Sequence, residues 1–377
     1  MFLALRELRF ARGRFALMGS VVALVALLMV LLSGLSVGLV NDGVSGLKAM
    51  PVTHLAFTED VATDSAYSRS VVTDAELDAW ADAEGVAGAA PFGNTLVNGR
   101  TDRGVEVDLA LFGIEPGSWL EPSAATGEQL AGEDGILVSP TLLDEGVELG
   151  DTVTVDTLGT ELRVVGVLAD QATFGHVDVA YVPLGTWQEI KAGVRAGEEA
   201  PAHVHREFTA LALQLADDVD PAVVTAGDEA AGTTTMTLEE SFGASPGYTA
   251  ETMTLDLIQG FLYAISALVV GAFFTVVTIQ RRGEIAVSRA LGASTGRLLG
   301  DSLVQSLVLL VASIAVGLAA GLGLGAFLTS TPMPFSLEAA PVTVAASGLL
   351  VLGMLGAAVA VLRITRVDPL SALGGSR

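Results

Sequence analysis

The chain has 377 residues, of which 51% are hydrophobic and only 16% charged, with a mean hydropathy of +0.58. Few soluble proteins of this length carry so little charge, so composition places the chain in a membrane. The net charge of −24 excludes the basic footprint that nucleic acid requires, and the lack of cysteine removes disulfides, thiolate metal sites and cysteine nucleophiles together.

A membrane-spanning helix needs about 20 mostly apolar residues. An arginine-rich amphipathic start (1–14) is followed by a charge-free run that predicts a first span with an outer extension over 15–49. That run exceeds the roughly 7–15 residues of a signal-peptide core and closes on no A-x-A site, so it predicts a retained anchor. Residues 50–248 predict an α+β domain. TDAELDAWADA opens on a capping box, Thr73 with Glu76, and predicts a helix. GVEVDLALFGI, LGDTVTV, TELRVVGVLA, HVDVAYVPL and FTALALQL predict strands, and PLGTWQEIKAG a short helix. His203 and His205, two residues apart, fit either a polar strand or loop or half of a metal site. No HExxH, GxSxG or EF-hand pattern occurs, so no catalytic role is expected. A second span with its entry segment follows at 249–280, a loop at 281–300 and a third span at 301–328. TSTPMPF breaks the next apolar run within an outer loop at 329–340, and a fourth span at 341–362 leads into a tail at 363–377. The fold class is an α-helical membrane protein with four transmembrane helices and an α+β extracytoplasmic domain between spans one and two.

Lys and Arg near span ends set orientation. The start, the 281–300 loop and the tail hold eleven of the nineteen basic residues; with four acidic ones (Asp301 included) their net charge is +7, leaving −31 for the remainder. Both termini are therefore expected in the cytoplasm of a bacterial cell and the acidic domain outside. Its charge reads as a solvated surface, or as a field that draws cations. Lys48 and Lys191 are the only lysines, and neither closes a G-x-x-x-x-G-K phosphate loop. Any nucleotide energy must come from another polypeptide.

The loop QRRGEIAVSRALGASTGRLLGDSL mixes basic and apolar residues at helical spacing, which suits a surface helix or a docking knob. Its order Arg281, Glu284, Ile285, Arg289, Ala290, Leu291, Gly292, Ala293, Ser294 resembles the signature of MacB/FtsX-type ABC permeases. The tail Arg366-Val-Asp-Pro369-Leu-Ser-Ala372-Leu resembles that family's closing segment, and LGDTVTV…LRVVGVLAD…YVPL its MacB-like outer core domain. The resemblance covers the whole chain. It implies a permease homodimer over two copies of a separate ABC ATPase subunit that holds the ATP, with Arg281, Arg282, Glu284, Arg289 and Gly292 coupling the two. The N-terminus ALRELRFARGRF and Ser33-Gly34-Leu35-x-x-Gly38-Leu39 further resemble haem-efflux permeases of the HrtB kind. That implies export of haem, or a similar hydrophobic compound, from membrane lipid; lipoprotein release or cell-envelope mechanotransmission is the other reading within the superfamily.

Haem as cargo needs an axial ligand and groups for its propionates, with no cofactor resident in the chain. Met29, past the midplane of span one, is either a gap-filling side chain or a thioether that two copies offer to one iron. Met50, His54, Met253, Tyr263 and Met333 are further candidates near the outer boundary, and Lys48 fits a propionate or simply snorkels. Gly34 and Gly38 form a G-x-x-x-G pair, suited to dimer packing or to ordinary small-residue contact, and Gly317, Gly321 and Gly325 repeat the spacing in span three.

Overall fold

The computed structural model describes residues 12–216, 219–280, 294–331 and 333–365. Among these, seven helices reach eight residues or more: α1 (Arg12–Lys48), α2 (Asp74–Ala81), α3 (Leu184–Ala192), α4 (Pro221–Ala231), α5 (Tyr248–Gln280), α6 (Thr295–Leu328) and α7 (Ala339–Thr365). The chain forms two compact units. One comprises Val40–Glu251; the other takes the residues up to Leu39 and from Thr252 onward.

In the second of these, the membrane unit, α1, α5, α6 and α7 are each long and apolar enough to cross a bilayer. Small residues let them approach closely. Gly19 of α1 lies against Leu309 and Ser313 of α6, Ala23 and Ala26 against Gly317, and Val30 against Gly321, so α1 and α6 run in parallel. Tyr263 of α5 meets Gly348 of α7, and Ala267 and Gly271 meet Gly356, so this pair is parallel too. Leu310 of α6 lies on Gly353 of α7, and Phe15 of α1 stands edge-on to Phe273 of α5 at 5.7 Å. The shared core includes Met18, Val22, Val270, Phe274 and Leu349. Leu17, Leu24, Leu257, Phe261, Leu268 and Val351 point outward as a surface for hydrocarbon. α6 starts at Thr295, inside the stretch expected as loop; neither Gly296 nor Gly300 stops it.

The outer unit is built on a mixed sheet of strands β1 (His54–Thr58), β3 (Val86–Thr101), β4 (Glu106–Ile114), β5 (Ala124–Gly127), β6 (Gly135–Val138), β7 (Thr152–Val155), β8 (Glu161–Leu168), β9 (Thr173–Phe174), β10 (Val177–Pro183), β12 (Ala210–Leu215) and β13 (Thr233–Thr237). Their order is β13-β1-β12-β3-β4-β10-β6-β8-β5, with β7 beside β3 and β8 and β9 beside β10, while β2 (Val72–Thr73) and β11 (Glu207–Phe208) pair separately. β4 and β10 are parallel, as are β6 and β8; the other pairs are antiparallel. Side chains alternate across β4: Ala110 and Phe112 join one core cluster with Phe92, Phe174 and Tyr181, and Leu109 and Leu111 join the other with Trp80 and Trp187. Both faces are covered from Leu109 to Ile114, where the strand is apolar, while Glu106 and Asp108 near its start are exposed.

Local signals act as their chemistry dictates. Thr73 and Glu76 form the capping box of α2, with the Thr73 amide donating to Glu76 Oε2 at 2.9 Å. Gly193, at φ 75°, ends α3 in the left-handed conformation. Asp220 caps α4, whose Gly227 makes room for the Trp80 ring; Trp80 Nε1 donates to Thr233 Oγ1 at 2.9 Å. A Cβ at Gly227 has no space beside that ring. Gly227→Ala should therefore destabilise the protein by about 1–3 kcal/mol through overpacking. Gly185→Ala, in α3 with nothing within 4 Å of the added Cβ, should stabilise it by up to about 1 kcal/mol. Denaturant unfolding of both variants checks the pair, and equal midpoints would sink the packing argument.

Candidate functional site

At its outer end the membrane unit carries a strap, residues 333–338, that lies over α1. The Ser336 amide donates to the Gly34 carbonyl at 3.0 Å. Phe335, only 9% exposed, sits against Gly34 of α1 and Gly325 of α6, and Leu337 also meets Gly325. A Cβ at Gly34 would strike the Phe335 ring, and one at Gly38 would strike the Pro334 backbone. The G-x-x-x-G face expected to pack two copies together is thus filled by the chain's own strap, which by itself accounts for both glycines. Gly317 and Gly321 are likewise spent on α1.

Polar groups are few in the bundle and some are deeply placed. Ser266 of α5 and Gln305 of α6 are 1% and 3% exposed, and Ser266 Oγ and Gln305 Nε2 have no hydrogen-bond partner among the described residues. Unsatisfied donors at membrane depth are costly, which sets these two positions apart from the apolar packing around them.

The residues expected to meet haem fall into different surroundings. In the membrane unit Met29 is 1% exposed within the bundle core, so it faces its own helices and not a free surface. Met253 and Met333 are surface side chains, 67% and 50% exposed, and Tyr263 is partly covered beside Gly348. These four do not form one ligand set. In the outer unit Met50 is buried in a core cluster. His54 Nδ1 lies 3.0 Å from Thr53 Oγ1, and burial, outweighing the pull of Glu240, lowers its pKa. Lys48 is exposed, donates to Asn41 Oδ1 at 2.7 Å and stands over the Phe242 ring. His203 precedes and His205 lies within a single 3-10 turn (Val204–Arg206), with His205 Nε2 3.6 Å from Glu189; no metal-competent group of three or more His, Asp or Glu exists among the described residues. Arg281, Arg282, Glu284, Arg289 and Gly292 lie outside the described residues, as do the first eleven residues and the tail from 366.

One constellation was not anticipated. The end of α1 that belongs to the outer unit is seated on the β9–β10 hairpin. Gly46 lies against Val179 and Phe112, and the Thr173 amide donates to Ser45 Oγ at 2.9 Å. The Gly175 amide donates to the Gly43 carbonyl at 2.8 Å, and Ser245 Oγ donates to the same oxygen at 2.9 Å. At the hairpin tip His176 Nδ1 is 2.8 Å from Asp42 of α1, and Nε2 is 3.1 and 3.2 Å from the two oxygens of Glu251 of α5. Its partners stand 134 and 75 residues away in sequence, so no local pattern announces the cluster.

Four apolar helices that alternate in direction, with an α/β domain inserted between the first and second, define a membrane permease with a large extracellular domain. Residues 16–231 match the MacB-like periplasmic core domain and residues 257–369 the FtsX-like permease C-terminal domain, and the chain belongs to this MacB/FtsX family of ABC-transporter permeases. It is 24% identical to the putative hemin transport system permease protein HrtB of Staphylococcus haemolyticus (strain JCSC1435), over 100% of this chain and 99% of that one. It is 22% identical to the protein of the same description from Staphylococcus epidermidis (strain ATCC 12228 / FDA PCI 1200), over the whole of both chains. Among solved structures it is similar to the extracellular domain of the noncanonic ABC-type transporter YknZ from Gram-positive bacteria (14% identity, TM-score 0.35, 49% of this chain and 98% of that one). It is also similar to the periplasmic region of MacB from Actinobacillus actinomycetemcomitans (14%, 0.36, 51% and 92%).

Proposed function

We propose that the chain is the transmembrane subunit of an ATP-driven exporter that removes haem, or a similarly flat hydrophobic compound, from the membrane. The observation that carries this is the end-to-end match to permeases described as hemin transporters, which leaves no segment of this chain unaccounted for. A chain without a phosphate-cradling loop needs a separate ABC ATPase, and the family's architecture supplies two copies beneath a permease homodimer. The excess of arginine at both termini and in the 281–300 loop supports a cytoplasmic position for all three. There Arg281, Arg282, Glu284, Arg289 and Gly292 grip the ATPase. Met253 and Met333 present thioethers at the surface of the membrane unit, within reach of a ring dissolved in lipid. Met29 becomes a ligand only if the bundle opens.

Deleting the gene should make cells sensitive to haem concentrations that the parent tolerates, and the wild-type chain should restore growth. Unchanged haem tolerance, together with lipoproteins retained in the membrane, would replace this reading by lipoprotein release.

A further inference from the structure

We propose that His176 is a doubly protonated bridge that fastens the two ends of the outer unit, and that it lets go as the surroundings turn alkaline. This stands apart from the nature of the cargo. A neutral imidazole has one N–H and one lone pair, whereas an ionised carboxylate only accepts. His176 has a carboxylate at each ring nitrogen: Asp42 Oδ2 at 2.8 Å from Nδ1, and both Glu251 oxygens within 3.2 Å of Nε2. Only the imidazolium donates to both. In the neutral ring one lone pair faces a carboxylate and one contact becomes repulsive.

The bridge is placed where it matters mechanically. The outer unit runs from Val40 to Glu251, so Asp42 and Glu251 are its entry and exit points on α1 and α5. His176 itself holds φ at 64°, a left-handed conformation that non-glycine residues rarely adopt, so the surrounding contacts must over-determine it. Those contacts are the Gly175–Gly43 and Ser245–Gly43 bonds, the Thr173–Ser45 pair and Gln171, which donates to Asp42 Oδ1 at 3.4 Å. The charges that face the ring are Asp42 and Glu251; Asp178, hydrogen-bonded to Thr141, interacts with Asp42. The three side chains of the bridge are 31%, 26% and 37% exposed, enough for proton exchange with solvent.

Burial alone would lower the His176 pKa, but the hydrogen bond to Asp42 and the charge of Glu251 outweigh it and the pKa is raised. A raised pKa gives stabilisation that is complete below the ordinary value near 6.5 and is lost as pH climbs through the folded-state value. The bridge is therefore closed in acid and opens in alkali.

The test is histidine nitrogen NMR on the full chain in lipid nanodiscs, with His176 assigned among the four histidines by His176→Asn, a residue that tolerates the left-handed backbone. We expect one imidazole to titrate above about 6.5, and Asp42→Asn and Glu251→Gln each to move it down. Neither carboxamide variant touches the strained turn. Protection of the Gly175 amide, corrected for intrinsic exchange, should fall between about pH 6 and pH 9 in the wild type and stay level in His176→Asn. Titration of His176 at or below the ordinary value, or no response to either carboxamide, would overturn the proposal.

Discussion

Exchanging the charges of Glu284 and Arg289 (Glu284→Arg with Arg289→Glu) should reduce ATP-driven export to the level of a strain without the permease, with the chain still folded. The two residues belong to the 281–300 stretch, where basic and apolar side chains interleave and for which we propose a cytoplasmic position. Breaking a charge pair desolvated at an interface costs roughly 2–5 kcal/mol, since it leaves the other charge unpaired. Two such losses exceed about 4 kcal/mol, or about a thousandfold in affinity. Net charge and helix propensity barely change, so the melting temperature of the purified permease should match the wild type. Haem tolerance and permease-stimulated ATPase activity report the effect. Wild-type export by the double variant would remove the docking role.

The second large effect belongs to the outer unit. Trp187 of α3 is 2% exposed and lies across Gly93 of β3 and Gly113 of β4, where added Cβ atoms would strike its ring. Trp187→Ala empties that seat and should cost about 3–5 kcal/mol, a large part of the roughly 5–15 kcal/mol that holds a domain together. Trp187→Phe should cost much less. Phe keeps most of the ring contact and removes Nε1, a buried donor with no partner among the described residues. Denaturant midpoints of the two variants in the full chain separate the effects, and similar midpoints would contradict the packing argument.

The spans were legible because a bilayer imposes a length and an apolarity that few other settings demand. The capped helix α2 and strands β4, β7, β8, β10 and β12 were legible because period and end signals lie within a dozen residues. β3 was not: VAGAAPFGNTLVNGRT carries Pro91 and three glycines, which read as punctuation. Gly93 is in fact required so that Trp187 can approach the sheet. β1 and β13 were missed for opposite reasons. HLAFT is covered on both faces and does not alternate, and TTTMT lacks an apolar face. Among candidate site residues, Met29 and Met50 carry no local mark that distinguishes core packing from ligation. TPMPF was read as a break in a span, and nothing in its composition says that Phe335 folds back on Gly34. His176 acquires its role only when residues 42, 176 and 251 are brought together.

The crossing of α5 and α7 has a mechanical consequence. Gly271, Gly356 and Ala267 meet there backbone to backbone, with a Cβ at Gly271 only 3.3 Å from the Gly356 carbonyl oxygen. Interdigitated side chains are what ordinarily hold two helices apart; here the contact is backbone on backbone, and Tyr263 seats its ring on Gly348 of the same pair. The crossing therefore fixes the separation of the two helices, and any side chain larger than hydrogen at 356 would wedge them apart.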